Sequence, residues 1–265
     1  MKYKISEVSK ILNMPIDSIR FYEKKGIISP QKDKQTDYRV YDDWDINYLL
    51  EYKRFRKMDF SAQEIKKLLH ETNFSDYLKL LEKNQESIKK KAVYYQLLEK
   101  KNEELIKKLV SLDFEVHIET TPCKLFFSHR ENFEYSSANQ LREIFDPWMD
   151  YYALLDNTVV IRKEDLFQDS SNFEWGFSIN KSESIALKLP MSERIECFEE
   201  QTYLRFIVNA GARGNFSKDL IKPAVSHIEK SNYKINGDIS GRLLARINDA
   251  EYLRYIEFFI PIEKK

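Results

Sequence analysis

The sequence predicts a multidomain chain: an all-α winged helix-turn-helix at 1–71, a long coiled-coil helix at 75–112, and an internally duplicated α+β domain at 113–265. Three observations carry that reading. Two short amphipathic segments meet at a tight corner near the start. A stretch without Pro or Gly follows, apolar at heptad spacing. Beyond Phe114 come two rounds of strand, helix and paired strands.

The first helix begins behind Ser6, a natural N-cap, and carries the stripe Val8, Ile11 and Leu12. Asn13-Met14-Pro15 is too short for anything but a corner. Pro15 suits the first turn of a second helix bearing Ile16 and Ile19, where its missing N–H costs nothing, and Gly26 stops that helix. Residues 27–41 read as a wing, with the polar loop Lys32–Asp37 between β-prone pieces. Asp42 or Asp43 caps a third helix to about Met58, buried through Ile46, Leu49, Leu50 and Phe55. Ser61-Ala-Gln-Glu64 is a capping box for a fourth, with Ile65, Leu68 and Leu69.

In the middle stretch, Leu81, Ile88, Tyr95, Asn102 and Leu109 occupy one seam position. Tyr77, Asn84, Lys91, Leu98, Leu105 and Leu112 occupy the other. Eight of these eleven are apolar, so a coiled coil is expected, with Asn84, Lys91 and Asn102 setting its register. The alternative is a long helix packed on its own domain. Further on, Val116–Ile118, Leu125–Ser128, Val159–Arg162, Phe173–Ile179 and Ile185–Leu189 read as strands around a helix at about 137–155. Glu196–Phe198, Tyr203–Ala210, Leu243–Ile247 and Arg254–Ile262 read as strands around a helix at about 217–231.

Ile5-Ser-Glu-Val-Ser-Lys10, the run Ile19-Arg-Phe-Tyr-Glu-Lys-x-Gly-Ile-Ile28, Pro30 and Tyr38-Arg39-x-Tyr41 together resemble the MerR family of transcription regulators. The later strand–helix order resembles, more weakly, the gyrase-inhibitor-like effector-binding domain of the family's multidrug-responsive members. The resemblance implies a homodimer through an antiparallel pairing of 75–112, on double-stranded promoter DNA. It also implies a small-molecule effector whose binding bends and untwists the promoter, so that RNA polymerase is engaged indirectly. The zero net charge hides a division that suits this. Residues 1–110 hold 24 Lys+Arg against 18 Asp+Glu, and 111–265 hold 19 against 25, together the 43 of each sign.

For DNA, the second helix offers Ser18, Arg20 and Tyr22, while Phe21 reads as core and Tyr41 is open between core and contact. The wing offers Tyr38 and Arg39, and the third helix ends in the cluster Lys53, Arg54, Arg56 and Lys57. A guanidinium fork matches phosphate and base edges, and the rest suit backbone contacts that fix position rather than sequence choice. For a ligand, Trp148, Tyr151, Tyr152, Trp175 and Phe177 are expected to wall a pocket. Tyr255, Glu257 and Phe259 share one face of the closing strand, Glu257 being where the resemblance puts a pocket glutamate. A lipophilic, cationic compound fits such a site. The preceding strand, Arg242–Ile247, lacks the acid of the multidrug-binding relative, which leaves neutral or anionic ligands open.

Cys123 stands where metal-sensing members place thiolates, with only His117 and His129 near it in sequence. A metal or thiol sensor, or a ligand-independent repressor with a protein-interaction C-terminal domain, is therefore the alternative. No resident metal, cofactor or enzymatic constellation is expected. No run approaches the roughly 20 apolar residues of a membrane span, so a cytoplasmic protein is expected.

Overall fold

The computed structural model describes residues 2–131, 134–136, 138–166, 172–211 and 216–265, with the backbone alone at 138–141. The chain forms two compact units, Met1–Lys91 and Ala92–Lys265.

The first unit opens with α1 (Ile5–Leu12) and α2 (Ile16–Lys24). Ser6 lies one residue inside α1, correcting its assignment as the cap. Lys4 is the N-cap residue, and its backbone N–H donates to the Glu7 carboxylate. Asn13 ends α1 in a left-handed conformation, and Pro15 is the N-cap of α2 rather than part of its first turn. Gly26 follows α2 at φ +70°, a conformation that favours residues without a Cβ. The wing is the hairpin β1 (Gln31–Lys32) and β2 (Arg39–Val40). Asp33 Oδ1 accepts from the Gln35 and Thr36 N–H groups and closes the loop between its strands. Asp42 caps α3 (Asp43–Lys57), and Ser61 with Glu64 caps α4 (Ala62–His70) by the expected reciprocal box.

Val8, Leu12, Met14, Ile19, Ile28, Tyr41, Ile46 and Leu49 make one core. Ile27, Tyr52, Phe55, Phe60, Ile65 and Leu68 make a second. Ile11 (54% exposed), Leu50 (47%) and Phe21 (47%) lie outside both, against the sequence expectation for each. Tyr41 is fully buried, which decides it as core.

The long helix α5 (Phe74–Val110) begins in the first unit and ends in the second. Much of its seam is used within its own chain. Tyr77 and Leu81 pack on the second core. Asn84 donates to the Met58 carbonyl and Lys91 pairs with Asp59, both in the turn between α3 and α4. Those two polar residues, expected as register setters, thus hold a turn of their own domain. Leu98 packs on a core of the second unit. Ile88 (42%) and Tyr95 (63%) remain exposed.

The second unit is built on β3 (His117–Thr121), β4 (Lys124–Glu131), β5 (Glu134–Tyr135), β6 (Asp156–Ile161), β7 (Glu174–Asn180), β8 (Ile195–Phe198), β9 (Gln201–Asn209), β10 (Tyr233–Ile235), β11 (Ile239–Asn248) and β12 (Tyr252–Lys264). Its helices are α6 (Ala138–Met149), α7 (Lys181–Leu187) and α8 (Lys222–Glu229). The start of the predicted 137–155 helix, Ser137, lies outside the described residues. Ile185–Leu189, expected as a strand, is the end of α7 and its cap. Ser184 and Leu187 are its buried residues while Ile185 is 68% exposed, a helical rather than alternating pattern.

The main sheet runs β3-β9-β12-β11-β6-β7-β4-β5, with β8 also pairing with β4. From its antiparallel centre, β11 against β6, each side reads outward as a paired partner (β12 or β7), a long strand (β9 or β4) and a short outer strand (β3 or β8). Strand alternation gives this sheet two unlike faces. One carries Val159, Ile161, Leu204, Phe206, Ile256, Phe258 and Ile260 against α8, and Leu125, Phe127, Phe177 and Ile179 against α6. The other carries Asp156, Thr158, Ser178, Arg205, Arg242, Tyr255, Glu257 and Phe259.

Candidate functional site

Two surfaces concentrate chemistry, one in each unit. In the first, Ile19 is buried and turns the opposite side of α2 to solvent, exposing Arg20 and Phe21 and leaving Ser18 half-buried. Among the described residues Arg20 is held only by Asp17, one turn back at 3.4 Å, an exposed pair that gives way readily. Lys25 sits over the Phe21 ring. Tyr22 is half-buried against Tyr52, with ring centroids 4.3 Å apart. On the wing, Tyr38 is 78% exposed, and Arg39 Nε donates to Glu23 at 2.5 Å, joining the wing to the end of α2. Arg20, Phe21, Tyr38 and Arg39 thus lie on α2 and on the hairpin tied to it.

The third-helix cluster divides. Lys53 donates to the Leu12 carbonyl at 2.9 Å and pins α3 to the end of α1. Arg56 donates to the Phe60 carbonyl at 2.7 Å and closes the turn before α4. Arg54 pairs with Glu51 and stays 57% exposed, and Lys57 is exposed. Phe21 is the residue that sequence reasoning misplaced. It follows the buried Ile19 by two residues, a spacing that carries a side chain away from the core face.

In the second unit the expected pocket comes apart. Trp148 is fully buried in the core under α6, its Nε1 donating to the Pro190 carbonyl. Tyr151 packs beside Tyr94, and Tyr152 sits edge-on to Phe177. Trp175 lies with Phe216 against the core under α8. Trp148, Tyr151, Trp175 and Phe177 pack in the cores on one face, with Tyr152, 46% exposed, at their edge, whereas Tyr255, Glu257 and Phe259 point from the other. The sheet separates the expected wall from the expected acid.

Glu257 is fully buried and ion-paired. It accepts from Lys108 and, at 3.0 Å, from Arg205 through one oxygen, and from Arg242 Nε at 2.6 Å through the other. Burial alone would raise its pKa, but Arg242 and Lys108 outweigh burial and hold it at about 2. Beside it, Asp156 pairs with Lys101 at 2.9 Å, Arg242 at 3.4 Å and Lys124 at 3.8 Å. Those cations keep its carboxyl far below the usual range despite burial. Burial and the neighbouring Arg242 bring the Lys124 ammonium down to about 8, against the pull of Asp156 and Glu257.

A cleft of about 180 Å³ opens here, where β6 begins at Asp156 while β11 continues past Arg242. Lys101, Leu105 and Lys108 of α5 line it together with Leu155, Asp156, Asn157, Arg242, Leu243 and Leu244. The lysines of α5 were not identified from the sequence. Lys101 and Lys108 lie two turns apart on one helix face, the only signal they offer.

Cys123 has a partner that sequence distance concealed. Its ligand atom, that of Cys197 on β8 and a carboxylate oxygen of Glu199 all lie within 4.8 Å of one another. His117 instead pairs with Asp113, and His129 stacks on Tyr135. Burial, with Cys123 and Glu199 beside it, pushes the Cys197 thiol up to about 12.

Residues 3–72 match the family described as "MerR HTH family regulatory protein". The chain is 40% identical over 65 residues to the HTH-type transcriptional regulator HmrR of Sinorhizobium medicae, covering 24% of this chain and 44% of that one. It is 29% identical over 91 residues to the HTH-type transcriptional activator mta of Bacillus subtilis, covering 34% and 35%. The match therefore spans less than half of either relative, and both are transcription regulators rather than enzymes. A solved EcmrR-DNA complex aligns over 99% of this chain and 100% of that one at 14% identity. Its TM-score is 0.38, too low to establish a shared arrangement of the whole. No helix of the described residues is long and apolar enough to cross a membrane.

Proposed function

We propose that this chain, whose residues 3–72 are a MerR-family helix-turn-helix domain, is a transcription regulator that binds promoter DNA as a homodimer and responds to a small molecule held in its second unit. The observation that carries the DNA reading is the surface shared by α2 and the wing, with Arg20 and Phe21 exposed and Arg39 tied to Glu23. A guanidinium and an aromatic edge on a second helix suit the major groove, and wing cations suit the flanking phosphates. Dimerisation is supported by Ile88 and Tyr95, apolar, seven residues apart and exposed on α5. The strand order that reads alike from either side of its centre supports a duplicated sensor domain.

The response is supported by the placement of α5. Lys101 and Lys108 line the cleft and hold Asp156 and Glu257, while Tyr77, Leu81, Asn84 and Lys91 of the same helix hold the α3–α4 region. An occupant that competes for those lysines changes the contacts of the helix that also supports the DNA-binding domain. Activation then follows by promoter bending and untwisting, so that polymerase is engaged indirectly. Such coupling is reciprocal, so DNA must alter effector affinity by the same factor. Selection of bound duplexes from a random pool with the full chain should return an inverted repeat. A pool that stays random after repeated rounds contradicts sequence-specific binding.

A second reading, a soft-metal or thiol sensor, is favoured by one observation, the convergence of Cys123, Cys197 and Glu199. Two thiolates and a carboxylate are a workable set for zinc or a softer ion. Unchanged metal affinity in a Cys123→Ser, Cys197→Ser chain would remove it.

A further inference from the structure

Charges on the polar face of the second unit do not balance. Lys101, Lys108, Lys124, Arg205 and Arg242 converge on two carboxylates, Asp156 and the fully buried Glu257. Adding Glu119, 3.4 Å from Arg205 Nε and 40% exposed, still leaves five cations against three acids. Glu104, which also lines the cleft, is paired with Lys100. Elsewhere on the same face the ratio is reversed, with Arg162 shared by Glu174, Glu196 and Asp238. The excess of cations is therefore local to the cluster around Asp156 and Glu257, of which Lys101, Lys108 and Arg242 line the cleft.

Two of these donors are not fully used. The Lys124 ammonium, on a side chain 19% exposed, lies over the Phe259 ring at 5.0 Å but makes no hydrogen bond to the described residues, and its nearest carboxylate oxygen is at 3.8 Å. Arg205 Nε is buried and makes no hydrogen bond, facing the Glu119 carboxylate only as an ion pair at 3.4 Å. Surplus buried charge is costly unless a counter-ion joins it. Glu257 is fully buried, and Lys108, Arg205 and Arg242 already hold both of its oxygens, so a cation would reach it only by displacing them. An anion instead joins cations already in place, sharing Lys101, Lys108 and Arg242 with Asp156 and Glu257.

We infer that the cleft binds a small amphiphilic organic anion, its headgroup held by Lys101, Lys108 and Arg242 and its apolar body lying on Leu105, Leu155 and Leu243. Lys124 adds positive potential beside Asp156. A volume of about 180 Å³ admits a body of one or two fused rings. This assignment rests on the effector-sensing reading above and reverses the cationic ligand chemistry expected from the sequence.

Calorimetric titration of the full chain with 1-naphthoate, 1-naphthyl phosphate and tetraphenylphosphonium tests it. The naphthyl anions should bind and the cation should not, with the better headgroup separating carboxylate from phosphate. Anion affinity should fall from about pH 7 to about pH 9 as Lys124 loses its proton. The Lys124→Met chain should bind the anions about tenfold more weakly and yet melt at a higher temperature, because it no longer buries an ill-partnered ammonium. A purely structural lysine would give the opposite melting shift. Tetraphenylphosphonium binding without anion binding overturns the anion assignment and leaves effector sensing standing. If no probe binds, both fall, while selection of DNA by the first unit is judged separately.

Discussion

At Glu257 a single carboxylate on a strand of apolar neighbours becomes the centre of a charge cluster, and its titration carries a stability consequence. Its folded pKa, about 2, lies below the ordinary 4.5. Its contribution is therefore present above pH 4.5 and lost as pH falls through about 2, on the order of 3 kcal/mol. Acid denaturation followed by near-ultraviolet circular dichroism should show the second unit losing stability across that window. Glu257→Gln leaves Lys108, Arg205 and Arg242 facing a neutral partner, so it should cost about 3 kcal/mol in denaturant unfolding. A neutral effect would mean the ion pairs are not buried in solution. The third-helix cations divide in the same way. Lys53→Met and Arg56→Met should each lower stability by about 1 kcal/mol because each loses a bond to a main-chain carbonyl. Arg20→Ala should weaken DNA binding at unchanged stability.

At the scale of elements, local signals located α1 to α4 and the wing because caps, a Gly stop and buried stripes all operate within a few residues. What they could not resolve was competition between neighbours. Lys4 took the cap position from Ser6, and α7 formed where Ile185–Leu189 looked strand-like, since Ser184 and Leu187 bury together at helical spacing. The heptad frame of α5 was legible, but not which part of it serves the chain itself. Asn84 and Lys91 answer to the Met58–Asp59 turn, a contact at sequence separations of 26 and 32. Ile88 and Tyr95 are apolar seam positions left exposed, and they are the ones proposed to meet a partner. Sedimentation equilibrium of the full chain should show a dimer at micromolar concentration, and Ile88→Glu with Tyr95→Glu should give a monomer. A monomeric wild type would contradict pairing through α5.

Across the whole molecule, Glu257 and Cys123 were visible in sequence, but the residues that gather around them were not. Trp148, Tyr151, Tyr152, Trp175 and Phe177 looked like partners for Glu257 because aromatics and an acid suit a cation. The sheet places them on its other face, a fact fixed by pairings between β6, β7, β11 and β12 that no local pattern encodes. Cys123 and Cys197 met for the same reason, through the pairing of β4 with β8. The α2 and wing part of the proposed DNA surface was easier to read because its residues lie within Ser18–Arg39. Its account is tested most directly by fluorescence anisotropy of the full chain on a duplex that it selects, measured across salt concentrations. The wild type should bind with steep salt dependence, and Arg20→Ala with Arg39→Ala should weaken binding and flatten the log–log slope by about 2 if both contact phosphate. Unchanged affinity and slope in that double variant would contradict the assignment of α2 and the wing as the DNA-reading surface.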